Sequence, residues 1–194
     1  MKIENKNKKA AAACLIICLN IIAACALAPF ANADSAECKT RELVAERGTE
    51  IYAECGDTVT AEAGSVVTAT AGSTVLAQAD SYVAAMDGST VKAYGGSRAL
   101  ASQGSTIHAY DGAHVLAEAK SIVIAHRFAY VIAYYDSQVT ANDGAKVRAK
   151  YGSKVVAKPG SMIQKEPGAA VEIESGATVT DVDAQAVDPE DEWP

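Results

Sequence analysis

Residues 61–124 read AEAGSVVT ATAGSTVL AQADSYVA AMDGSTVK AYGGSRAL ASQGSTIH AYDGAHVL AEAKSIVI, eight octads in one register. The register continues over residues 125–180 as AHRFAYVI AYYDSQVT ANDGAKVR AKYGSKVV AKPGSMIQ KEPGAAVE IESGATVT. The consensus is A-x-x-G-S-x-V-x. Ala fills position one fourteen times in succession, from Ala53 to Ala157. Position seven is Val or Ile in sixteen of seventeen octads between Ile51 and Val179, with Ala99 the exception. Thirteen of the 14 glycines fall at position four. A fixed period without insertions is the signature of a repeat architecture, in which each unit buries its apolar face against its neighbours.

The period assigns the local structure. Ser or Ala at five, Val at seven and Ala at the next position one alternate with variable residues, so one face of a short strand is small and apolar. Branching at Cβ suits Val and Ile to the pleat. Positions three and four, often Asp-Gly or Pro-Gly, form a corner, because Gly accepts the positive φ such turns require. The same recurrence of Gly and β-branched residues excludes a helix. The fold expected is all-β: a single-stack β-solenoid with about 16-residue coils, each of two octads and two short parallel strands. A three-octad coil is the alternative, with a wider triangle that these side chains fill less well. About eight coils spaced ~4.8 Å apart give a rod near 40 Å.

The octads AGSTVLAQ, AYGGSRAL, ASQGSTIH and AYDGAHVL resemble the octapeptide halves of bacterial ice-nucleation protein repeats, and Ala-Tyr-Asp-Ser-type octapeptide arrays of bacterial and phage proteins. The resemblance covers about residues 48–180. It implies a solenoid of stacked 16-residue coils and does not carry ice activity with it. Bactofilin-type solenoids are a weaker resemblance, lacking so strict an octad.

Composition agrees. The chain has 194 residues and 49% hydrophobic side chains, but only 6% aromatic, with 1 Trp and 2 Phe. Such an interior is built from small residues rather than the Leu, Ile and Phe of an ordinary core. A net charge of -7 argues against a nucleic-acid partner.

Outside the repeat, Lys2, Lys6, Lys8 and Lys9 precede an apolar run from Ala10 to Ala28, then Ala31-Asn32-Ala33. That order is a secretory signal peptide over residues 1–33, cleaved after Ala33. The rival is a lipobox at Ile22-Ala23-Ala24-Cys25, which makes Cys25 a lipidated first residue. The expected localisation is exported: periplasm, cell surface or extracellular, with no transmembrane segment after processing. Cys38 and Cys55 are the cysteines left, and an exported pair suggests a disulfide. Seventeen residues apart, they meet across the first two rungs of a 16-residue coil. Residues 34–47 are expected to cap the solenoid, with Ala36 to Arg47 as a short helix. The solenoid spans 48–180, and 181–194 is an acidic, disordered tail.

Chemistry is sparse. G-x-S-x-G, P-loop and C-x-x-C motifs are absent from the sequence, and its histidines are His108, His114 and His126, with His114 on the opposite face from the others. The protein is expected to be no enzyme and to need no cofactor or metal. Three surface features stand out. A candidate water-ordering ladder runs through Thr58, Thr74, Thr90 and Thr106. A candidate partner surface comprises Tyr82, Leu100, Leu116, Ile122, Ile124, Tyr130, Ile132 and Tyr134, where Lys120, Phe128 and Asp136 displace the corner glycine. Clustered outward apolar residues are unusual in a solvated monomer. Residues 115–136 are therefore the expected contact zone, for a second copy, a surface protein or a polysaccharide. A basic band follows, from Lys146 through Arg148, Lys150, Lys154 and Lys158 to Lys165. The functional expectation is a secreted, non-enzymatic structural or surface-interaction solenoid. Ice binding and polysaccharide binding are the alternatives, the latter drawing on Glu118 and Asp136 near the aromatic zone.

Overall fold

The computed structural model describes residues 38–183. The signal segment, the lipobox and residues 184–194 of the acidic tail lie outside those residues. The described chain holds β1 (Arg41–Ala45), β2 (Glu50–Ala53), β3 (Asp57–Ala61), β4 (Val66–Ala69), β5 (Thr74–Ala77) and β6 (Tyr82–Ala85). Next come β7 (Thr90–Ala93), β8 (Arg98–Ala101), β9 (Thr106–Ala109), β10 (His114–Ala117), β11 (Ile122–Ala125) and β12 (Tyr130–Ala133). The last are β13 (Gln138–Ala141), β14 (Lys146–Ala149), β15 (Lys154–Ala157), β16 (Met162–Lys165), β17 (Ala170–Ile173) and β18 (Thr178–Asp181).

The odd-numbered strands form one nine-stranded sheet and the even-numbered strands another. Pairing is parallel throughout and offset by 16 residues, as in Thr58↔Thr74 and His114↔Tyr130. A three-octad coil would pair residues 24 apart, so the register decides for two. Nine rungs at about 4.8 Å give a solenoid of roughly 43 Å.

The interior follows the octad. Val at position seven and Ala at position one are almost fully buried from Ala45 to Ile163. Ser at position five is buried as well, and except at Ser97 its hydroxyl turns back to donate to the carbonyl three residues earlier: Ser65 to Glu62 at 2.7 Å, Ser105 to Ser102 at 2.6 Å, Ser161 to Lys158 at 2.6 Å. That bond satisfies a buried hydroxyl locally and locks the corner. The backbone N–H of the same serine donates to the same carbonyl, for example Ser65 to Glu62 at 3.0 Å. Position four is therefore the third residue of a β-turn, with positive φ as in type II. Pro159 and Pro167 stand just before Gly160 and Gly168, where such a turn favours proline.

Two differences from the sequence reading appear at the ends. Arg41–Ala45 forms strand β1 rather than a short helix. Leu43 and Ala45 sit where the octad places Val and Ala, and the unpaired edge of β3 captures the segment in register. The solenoid thus begins at Arg41 and ends at Asp181, one half-coil longer than the consensus indicated. Cys38 and Cys55 are joined as a disulfide with Cα atoms 5.3 Å apart. Beside it, Arg41 donates through Nε to the buried Asp57 carboxylate at 2.7 Å and through Nη2 to Glu54 at 3.0 Å. Arg41, by this hydrogen bond first, holds the Asp57 carboxyl below the usual carboxylate range.

Candidate functional site

Because positions five, seven and one are consumed by the core, recognition has to use positions two, six and eight and the corners. The outer face of the odd sheet carries Thr58, Thr74, Thr90 and Thr106 as one in-register file over four rungs. The file ends at Ile122, which pairs with Thr106 and is 45% exposed. The neighbouring file reads Thr60, Leu76, Lys92 and His108, so the threonine ladder is one residue wide. Thr178 and Thr180 on β18 form a further T-x-T pair, on the other sheet. On the same odd face Tyr94, Tyr110 and His126 stack ring on ring, with centroids 4.9 and 4.3 Å apart. His108 lies 6.0 Å from His126. Burial first, then the charges of His126 and Lys92, depress the basicity of His108. His114 lies on the even sheet, edge-on to Tyr130. Among the described residues no cluster of three or more His, Cys, Asp or Glu side chains is arranged to hold a metal. Among them also, no helix is long and apolar enough to cross a membrane.

The structure divides the expected partner surface. Leu100, Leu116 and Ile132 form one file on the even sheet, with Tyr82, Tyr130 and Tyr134 beside it. Ile122 and Ile124 belong to β11 of the odd sheet, on the opposite face. Nor is the even-sheet file uniformly open. Ile132 is only 3% exposed, although its register points it outward. Arg148, next in that file, is 2% exposed and donates through Nε to Glu166 at 2.9 Å. The basic band is split in the same way: Lys146 and Lys150 lie with the even sheet, while Lys154 on β15 reaches Asp136 at 3.5 Å.

What the central rungs share is strain and exposed aromatics at the corners. Non-glycine residues with positive φ are Asp80, Lys120, Phe128 and Asp136, and the last three are consecutive corners with φ of 61°, 61° and 58°. An L-residue in this conformation costs roughly 1–2 kcal/mol, and such positions concentrate where function over-determines the backbone. Phe128 is 61% exposed under the Arg127 guanidinium, and Tyr135 is 64% exposed.

Beside Tyr135 a groove of about 580 Å³ runs along the corner that follows the even strands. It exists because the small Ala119 stands between Gln103 and Tyr135 on consecutive rungs, leaving a notch. Leu116 lines it, and so do Ser102 and Glu118, which are joined by a hydrogen bond from the Ser102 hydroxyl to the Glu118 carboxylate at 3.2 Å. The octad alone does not disclose this groove. Reading the corner column Gln103, Ala119, Tyr135, Tyr151 at sixteen-residue intervals would have.

The described residues therefore define a parallel, two-sheet β-solenoid of 16-residue coils, with its chemistry confined to outward files and corners. No family model matches the chain, and no curated protein matches it. Among solved structures the chain is similar to the TibC-catalysed hyper-glycosylated TibA55-350 fragment. Identity is 14%, coverage is 73% of this chain and 85% of that one, and the TM-score is 0.26.

Proposed function

We propose that the protein is an exported, non-enzymatic β-solenoid that serves as a rigid contact module, engaging a second copy or a surface component through its central rungs. The observation that carries the reading is the coincidence at residues 115–136. The run of strained corners Lys120, Phe128 and Asp136 lies on the rungs where Ile122, Phe128, Tyr134 and Tyr135 are all exposed. Retaining unfavourable backbone there, while glycine fills nearly every other corner, favours a role for those side chains beyond folding. Export is supported by the disulfide and the signal-type N-terminus. Self-association is tested by light scattering on protein recovered from the exported fraction of cells expressing the full chain. The expected result is a concentration-dependent rise in mass that Leu116→Lys or Ile122→Lys abolishes, and the variant that acts identifies the face. A constant monomer mass removes self-association. Mass spectrometry of the same material tests cleavage after Ala33 against lipidation at Cys25.

The in-register threonine file favours a second reading, water ordering at an ice surface. Thermal hysteresis that disappears on Thr90→Tyr supports it, and no hysteresis removes it.

A further inference from the structure

The groove at Ala119 has the chemistry of a sugar site. Both tyrosines that wall it lean on the following rung. The Tyr134 ring carries the Lys150 ammonium 5.1 Å from its centroid. The Tyr135 ring packs so closely on Gly152 that a Cβ there would stand 2.3 Å from its Cδ2. Both rings line the groove beside Glu118 and Ala119, where alanine leaves space. Across the notch stand the Glu118 carboxylate, the Ser102 hydroxyl and the Gln103 amide, a set of acceptors and donors converging on an aromatic wall. Tyr151 repeats the arrangement one rung further, its ring over Gly168.

We infer that this groove binds a neutral, β-linked glycan chain, with the C–H faces of successive sugar rings on the tyrosines and their hydroxyls on Glu118, Ser102 and Gln103. The rung spacing of about 4.8 Å is close to the length of one pyranose in an extended chain, so an aromatic file along the axis keeps step with such a polymer. Other ligand classes fit less well. The neighbouring strands are paired on both sides, leaving no open edge for an extended peptide. Glu118 in the groove opposes a polyanion. The inference rests on the reading of the chain as a contact module, but not on self-association, so light scattering and sugar titration can fail separately.

The test titrates the exported protein with tetrasaccharides of β-1,4-linked glucose and β-1,4-linked N-acetylglucosamine, following tyrosine fluorescence and calorimetry. Saturable binding of at least one is expected. Tyr135→Ala is expected to weaken it about tenfold or more, as loss of a central aromatic anchor does. Tyr135→Phe keeps the ring and retains binding. Ala119→Trp, exposed and on the surface, fills the notch and abolishes it. Tyr94→Ala, on the opposite face, leaves it unchanged. Unaltered thermal unfolding shows that each variant is folded. The inference is overturned by a flat titration with both sugars up to about 10 mM, or by folded Tyr135→Ala and Ala119→Trp proteins that bind as the parent does.

Discussion

The first rungs and the central rungs share one backbone and one interior, yet they are held in place differently. The first rungs have glycine corners at Gly48, Gly56, Gly64 and Gly72, and are fastened by the Cys38–Cys55 bridge and the Arg41–Asp57 pair. The central rungs have no crosslink and accept three successive non-glycine corners. The difference follows from position in the stack. A central rung is held by neighbours on both sides, which impose its register and override local strain, whereas a terminal rung has one neighbour and an open edge. The strained corners all lie on rungs with neighbours on both sides, and the disulfide clamp lies at the N-terminal end.

The largest expected effect breaks that contrast at its clamped side. Replacing Cys38 and Cys55 by Ala opens a 17-residue link, for which the chain-entropy relation gives about 3 kcal/mol. Hydrogen exchange is expected to show β1 and β2 fraying while β9 to β13 keep their protection. Equal loss along the whole stack would mean that the rungs are one cooperative unit and that the end has no special need of the bridge.

The next effect acts on the strained side with opposite sign. Lys120→Gly, Phe128→Gly and Asp136→Gly each relieve a left-handed L-residue and are expected to stabilise the protein by about 1 kcal/mol, raising the denaturation midpoint. The gain for Asp136 is reduced by loss of its contact with Lys154. Conversely, Gly72→Ala is expected to destabilise. It adds the same backbone strain, and its Cβ would stand 2.7 Å from Cys55 Sγ, where the bridge leaves no freedom to move. If glycine at Phe128 stabilises while weakening association, the corner is kept for contact at the expense of stability.

Much of this was legible in the sequence because the interior obeys local alternation and one period. Val123 is buried for the same reason as Val75, and an octad count suffices to say so. The Cys38–Cys55 contact follows from the coil length. The outer surface resisted reading because lateral neighbours decide exposure there. Ile132 and Ile122 are both outward by register, yet one is covered and the other open. Arg148 is buried because Glu166 on the following rung meets its guanidinium. β1 escaped notice because the corner glycine that marks most octads is absent before Arg41, where Thr40 stands at the glycine position.

Acid separates the two regions more gently. The Asp57 carboxyl is held below its ordinary value by the Arg41 hydrogen bond, so its ionised form belongs to the folded state. The stabilisation is fully present above the ordinary value of 3.8 and is lost as pH falls through the lower folded one. Asp57→Asn is expected to remove that acid-dependent component from exchange protection of β1, leaving the central strands unaffected.

The smallest effect lies in the central rungs and at higher pH. His108 is less basic in the fold than the free side chain, because burial and the adjacent His126 and Lys92 disfavour its cation. The unfolded chain then takes up this proton first. Stability is unaffected well above 6.5 and declines as pH falls from there toward the folded value, below which the penalty is constant. His108→Gln is expected to flatten the denaturant midpoint over that interval, while Asp57→Asn leaves it unchanged there. A profile insensitive to His108→Gln would mean that the ring is solvated well enough to charge freely. The stacked Tyr94, Tyr110 and His126 file would then be a surface ornament of the odd face, not a desolvated wall against which His108 is pressed.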